Sequence, residues 1–114
     1  MEKEIIGMNY ESFISTISEG IEFPKAKVKS KVLKIDEGGI RYSIGSKGNH
    51  KKVTFMEFQA AFKEIEENGC ITRNWYNTTF PIKAKTSSCN FTTIGGLLQY
   101  FSYVTYSTGA YSKK

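Results

Sequence analysis

Residues 54–103 read TFMEFQAAFKEIEENGCITRNWYNTTFPIKAKTSSCNFTTIGGLLQYFSY, and the punctuation of this stretch decides the fold. Thr54-Phe55-Met56-Glu57 has the form of a capping box, in which the Thr54 hydroxyl accepts from the Glu57 N–H while the Glu57 carboxylate accepts from the Thr54 N–H. Phe55, Phe58, Ala61, Phe62 and Ile65 then recur at spacings of three and four, an apolar helical stripe with Glu64, Glu66 and Glu67 facing water. Asn68-Gly69 supplies a left-handed stop. Thr72 is a second cap, and the residues after it have room for barely two helical turns before Phe80-Pro81 ends them. So short a helix has to be held by packing, through Trp75, Tyr76 and Phe80. Residues 83–88 read as a polar loop. Asn90 or Thr92 caps a third helix carrying Ile94, Leu97, Leu98 and Phe101, and Gly95-Gly96 inside it marks close packing.

Working outward, residues 9–19 predict an amphipathic helix, capped by Asn9, striped by Tyr10, Phe13, Ile14 and Ile17, and stopped by Gly20. From Lys25 the period changes to two. Lys25, Lys27, Lys29 and Lys31 alternate with Ala26, Val28, Ser30 and Val32, so an extended strand puts the four lysines on one face. The phase shifts at Val32-Leu33, which predicts a bulge and puts Leu33 and Ile35 on one side. Asp36-Glu37-Gly38-Gly39 reads as a turn, and Ile40, Tyr42 and Ile44 alternate with Arg41 and Ser43 on a return strand whose apolar side faces the core. A short extended piece follows through Val53. Beyond Phe101, the run Tyr103-Val104-Thr105-Tyr106 favours a strand, and the tail either joins a wing or frays.

The net charge of +5 is unevenly spread. Residues 1–22 hold five glutamates against one lysine, residues 23–53 nine basic side chains against two acidic ones, and residues 54–104 four of each. One segment therefore concentrates the positive charge, which points to an acidic or polyanionic partner. The opposed charges of the first two segments are compatible with a homodimer or with a meeting inside one subunit. Lysine alternation also has a bland explanation, the protection of an exposed strand against edge-to-edge pairing.

Chemistry has little to stand on. Cys70 and Cys89 belong to no C-x-x-C pair, His50 is the single histidine, and Asp36 is the single aspartate, so neither a metal site nor a nucleophile-His-acid set is signalled. Gly39 and Gly45 enclose five residues and Ser46 follows, which does not satisfy the phosphate-loop spacing. No cofactor and no enzymatic activity are expected. The opening residues lack a charged segment followed by an apolar one, and no run is apolar enough to span a bilayer, so a cytoplasmic protein without membrane contact is expected.

The end of the first helix, Ile65-Glu66-Glu67-Asn68-Gly69-Cys70-Ile71-Thr72-Arg73, and the later run Asn90-Phe91-Thr92-Thr93-Ile94-Gly95-Gly96-Leu97-Leu98 resemble helix-turn-helix domains of the winged-helix type. In that family a helix ends in Gly-x-Ile, Ser or Thr opens the second helix, and a third enters the major groove. The resemblance implies DNA binding, with Asn90, Thr92, Thr93 and Gln99 nearest to bases. This sequence departs from the family in having no Arg or Lys between Asn90 and Phe101, where base reading ordinarily uses them.

The expectation is one small α+β domain: an acidic N-terminal helix (1–22), a basic β-hairpin (23–53), a three-helix, helix-turn-helix-like unit (54–103) and a C-terminal strand and tail (104–114) that can pair with the hairpin. Its expected function is non-catalytic nucleic-acid binding or regulation, DNA ahead of RNA. Lys25, Lys27, Lys29 and Lys31, joined by Arg73, Lys83 and Lys85, are expected to contact phosphates. The alternative is an inhibitor or adaptor that sets the same hairpin against an acidic protein surface.

Overall fold

The computed structural model describes residues 9–24, 29–44 and 48–114. The chain is of the α+β class, and α1 (Tyr10–Thr16), β1 (Glu22–Phe23), β2 (Ser30–Ile35), β3 (Gly39–Ile44) and β4 (Asn49–Thr54) come first. Then follow α2 (Phe55–Asn68), β5 (Cys70–Thr72), α3 (Arg73–Thr79), α4 (Pro81–Thr86), α5 (Cys89–Tyr100), β6 (Val104–Ser107) and β7 (Ala110–Lys113).

The strands form two antiparallel sheets, one in the order β1-β2-β3-β4 and one in the order β5-β7-β6. Helix α5 lies between them. Its two consecutive glycines show how closely it is approached, because neighbouring residues point about 100° apart around a helix axis. A Cβ on Gly96 would stand 2.4 Å from the Pro24 carbonyl oxygen beside β1, and one on Gly95 would stand 2.2 Å from the Tyr111 ring on β7. The close packing expected at this pair is there, made by the backbone beside β1 on one side and by the Tyr111 ring on the other.

The capping box at Thr54 forms as read, and Gly69 closes α2 in the left-handed conformation at φ 86°. Phe58, Ala61, Phe62 and Ile65 are buried. Phe13 of α1 enters between Phe58 and Phe62 with ring centroids 4.6 and 5.6 Å away, and meets Phe101 beyond α5 at 5.8 Å. Asn9 caps α1 through the Ser12 N–H. That helix ends at Thr16, earlier than its apolar stripe predicts, because the Ser15 and Thr16 hydroxyls bond back to carbonyls of Glu11 and Ser12 and Ile17 is already extended.

Four further expectations need correction. The hairpin is the middle of a four-stranded sheet, since β4 pairs with β3 along its whole length and β1 adds to β2. The bulge lies between Val32 and Lys34 as predicted, yet it keeps Val32 and Ile35 inward and turns Leu33 out, 42% exposed. Residues 81–86 form α4, where a loop was expected, because Pro81 occupies the first turn with its φ already helical. The C-terminal strand pairs with β7, which bridges it to β5, and makes no pairing with the hairpin. Within the chain, the acidic segment meets the basic one: the Glu19 carboxylate accepts from the Ile35 N–H at 3.0 Å, and Glu22 stands opposite Lys31.

Candidate nucleic-acid interface

The outward face of the four-stranded sheet is built by strand alternation. Val32, Ile40, Tyr42 and Val53 point into the core and are all but completely buried. Their alternates point to solvent. The register places Lys34 opposite Arg41 and Arg41 opposite Lys52, so three cations stand in one row across β2, β3 and β4. Ser43 and His50 pair in the next row, where the Ser43 hydroxyl also accepts from the Lys31 N–H at 2.9 Å. Lys29 and Lys31 are exposed at the start of β2.

Two local contacts hold the row in place. Arg41 Nη1 lies 3.0 Å from His50 Nδ1; guanidinium can only donate, so that imidazole nitrogen accepts. Lys52 Nζ is 3.0 Å from a carboxylate oxygen of Asp36, which also accepts from the Gly38 and Gly39 N–H groups of the turn. The Lys52 hydrogen bond, and after it the Gly38 N–H, hold the Asp36 carboxyl below its ordinary value.

Edge protection does not account for the centre of this row. A strand edge is guarded by charges on the edge strand; Lys52 lies on such a strand, β4, and β1 pairs with β2 only at Ser30 and Lys31, whereas Arg41 lies on β3, paired on both sides. Like charges directly opposite each other across strands are destabilising, by about 0.2–1 kcal/mol per pair. The fold tolerates that repulsion twice along one row.

Beneath the sheet, β3 is fastened to α5 and α2 by a buried polar network. The Tyr42 hydroxyl donates to Asn90 Oδ1 at 2.6 Å, and Asn90 Nδ2 donates to the Lys52 carbonyl and to Glu57 Oε1, each at 3.1 Å. Glu57 is fully buried. Its Oε1 also accepts from the Tyr76 hydroxyl at 2.5 Å, and its Oε2 accepts from the Thr54 N–H and hydroxyl, both at 2.9 Å. Four donors around one carboxylate match the acceptor-only ionised form. Burial pushes the Tyr42 and Tyr76 phenols well above their ordinary value, and for Tyr76 the hydrogen bond to Glu57 adds to it.

The sequence-derived residues fall into three groups. Lys29 and Lys31 border the basic face, while Lys25 and Lys27 lie outside the described residues. Arg73, Lys83 and Lys85 belong to α3 and α4, outside the aligned row, although the end of α4 meets the sheet where the Lys51 ammonium donates to the Thr86 carbonyl. Arg73 is partly committed to structure: it donates to the Ser88 carbonyl at 2.6 Å and its guanidinium sits 4.9 Å from the Phe91 ring centroid. In the base-reading set, the expectation fails for the two enclosed residues. Asn90 and Thr93 are fully buried, Thr92 and Gln99 half-buried, and eight of the twelve residues of α5 are enclosed. Asn90 does not cap α5; Ser88 stands at that position, and the Asn90 amide is consumed by Tyr42, Glu57 and the Lys52 carbonyl. A helix sheathed by a sheet on either side offers no broad face to a groove.

Lys34, Arg41 and Lys52 were missing from the sequence-derived set. The signal for two of them was present: Arg41 alternates against Ile40 and Tyr42, and continuing the period past Gly48 turns Lys52 out and Val53 in.

Among the described residues, no group of three His, Cys, Asp or Glu side chains is placed to hold a metal ion, and no helix is long and apolar enough to cross a membrane. Cys70 and Cys89 are half-buried free thiols. No protein-family model, curated protein or solved structure matches the chain.

Proposed function

We propose that this is a non-catalytic nucleic-acid-binding protein that meets phosphates with the outer face of its four-stranded sheet. The observation that carries the reading is the row Lys34–Arg41–Lys52, three cations aligned across β2, β3 and β4, with Arg41 at its centre on an interior strand where no edge calls for charge. The helix-turn-helix-type resemblance enters this reading as architecture. The order helix, strand, helices and terminal hairpin from α2 to β7 supports it, with β6–β7 in the place of a wing, while the contacts are assigned to the sheet.

The test is binding of a fluorescently labelled DNA at low salt by the wild type and by the variant carrying Lys34→Gln, Arg41→Gln and Lys52→Gln together. Removing three phosphate contacts is expected to weaken binding by at least about 10²-fold and to reduce the salt slope by about 2.7. A control variant that removes two cations elsewhere, Lys83→Gln and Lys85→Gln on α4, should change it far less per charge removed. Equal loss per charge in the two variants would show a diffuse charge effect and sink the assignment to the sheet.

A further inference from the structure

Resting on that reading, we infer that the ligand is the phosphate backbone of duplex DNA, held without regard to base sequence, and that Asp36 acts as a built-in competitor for one of its contacts. Proteins that hold single strands combine a basic groove with aromatic side chains on which bases stack. The basic face has no such platform among the described residues. Its outward positions are Glu22, which stands opposite Lys31 on β1, and Lys31, Leu33, Lys34, Arg41, Ser43, His50 and Lys52, whereas the sheet's aromatics, Phe23 and Tyr42, are fully buried. Base edges are read by Arg, Asn or Gln reaching into a groove. Arg41 lies in the middle of a flat row flanked by lysines, suited to phosphates, and no Asn or Gln joins it there.

Geometry fits a dense polyanion. Neighbouring strands are about 4.8 Å apart, so the three charges span roughly 10 Å. Over that distance a duplex presents about six negative charges, one per roughly 1.7 Å of axis. Phosphates would also relieve the like-charge repulsion along the row, which is a binding term that a neutral surface lacks.

Asp36 holds Lys52 at 3.0 Å, and both are partly exposed. For Lys52 to reach a phosphate it must leave this carboxylate. Asp36→Asn keeps the side-chain oxygen that accepts from Gly38 and Gly39 and removes the competing charge. It is therefore a gain-of-binding variant, expected to tighten duplex binding about three- to tenfold at low salt.

The experiment uses the full chain with two labelled duplexes of unrelated sequence and one single strand of equal length, titrated from about 50 to 200 mM salt. The expected result has four parts. The duplexes bind within about threefold of each other, and the single strand binds at least about tenfold more weakly. The duplex slope corresponds to three or four phosphates, an affinity drop of about 40- to 150-fold across that range. Asp36→Asn binds the duplexes more tightly, with an unfolding midpoint near that of the wild type. A single strand bound as tightly as the duplexes overturns the inference and leaves nucleic-acid binding standing, as does strong preference for one duplex. Unchanged or weaker binding by a folded Asp36→Asn removes the competitor. Failure of every DNA to bind at low salt sinks the proposed function itself and redirects the basic face toward an acidic protein surface.

Discussion

Two sheets flank the same helix and meet solvent with different chemistry. Behind α5 on one side, the register aligns Lys34, Arg41 and Lys52. On the other, Cys70, Ser112 and Thr105 occupy the corresponding kind of row across β5, β7 and β6. Both sheets bury aromatic and aliphatic side chains, Tyr42 and Val53 in the first, Ile71 and Tyr111 in the second, and Tyr42 and Tyr111 meet α5 directly at Asn90 and Gly95. The architecture therefore does not require cations on an outer face, since the second sheet is completed with small hydroxyl and thiol groups. Charge on the first is an addition to the fold, and additions that cost stability are where binding surfaces are found.

Alkaline pH acts on both sheets at once, because both rest on buried phenols. Tyr42 under the first sheet and Tyr76 beside it are raised well above the 10.0 of an ordinary tyrosine, and burial raises Tyr111 under the second to about 12. Folding favours the protonated phenol in each case. The stability these groups contribute is complete below pH 10 and is lost as pH rises through the folded values, first through about 12 at Tyr111. Phenolate absorbance followed alongside circular dichroism should show these three titrating with the loss of structure, the second sheet giving way first. Their ionisation near pH 10 in a still-folded protein would show that the core is open to solvent.

Next in size is Glu57→Ala. This carboxylate joins Thr54 at the end of β4, Tyr76 on α3 and Asn90 on α5, and through Asn90 reaches Tyr42 on β3. Its removal strands four buried or half-buried donors at once, and the expected loss is about 3–5 kcal/mol. Denaturant unfolding reads this directly. A loss under about 1 kcal/mol would mean that the network does not hold the first sheet to the helices.

How much of this was legible in the sequence divides along the same line between local and distant pairing. Thr54-x-x-Glu57, Thr72, Gly69, Asn9 and the bulge after Val32 are read from residues a few places apart, and all appear. Asn90 is the counter-example. Before a helix, Asn is a favoured cap, and nothing near it in sequence reveals that a tyrosine 48 residues earlier consumes its amide. Glu57 shows the same limit, since its capping role was visible while its contacts with Tyr76 and Asn90 were not. The basic row was half visible: alternation turns Arg41 outward, but its alignment with Lys34 depends on a bulge whose width the sequence does not specify, and with Lys52 on a strand pairing across a turn.

The two glycines of α5 probe each side of the comparison separately. Gly95→Ala drives a methyl into the buried Tyr111 ring, and Gly96→Ala drives one into the Pro24 carbonyl. Overpacking costs about 1–3 kcal/mol, from which about 1 kcal/mol of helix propensity is recovered. A ring can turn aside more readily than backbone, so Gly96→Ala is the more damaging of the two. If Gly95→Ala proves worse in thermal unfolding, Tyr111 is held more rigidly than the first sheet's edge.

The smallest effect separates binding from folding most sharply. Arg41→Gln removes the central charge of the row, relieving two like-charge pairs, while the glutamine amide keeps a donor for His50 Nδ1. Arg41 is half-buried and makes no contact with the buried network, so the change in stability is expected to be a gain of about 0.2–0.5 kcal/mol. The mirror experiment places Thr105→Lys and Ser112→Lys opposite each other on the second sheet, and is expected to lose a similar amount. Opposite signs from paired denaturation curves would show that the first sheet holds its cations against the preference of the fold. A destabilised Arg41→Gln would instead make the arginine a structural residue, and the charged row would lose its claim to be a surface kept for an anion.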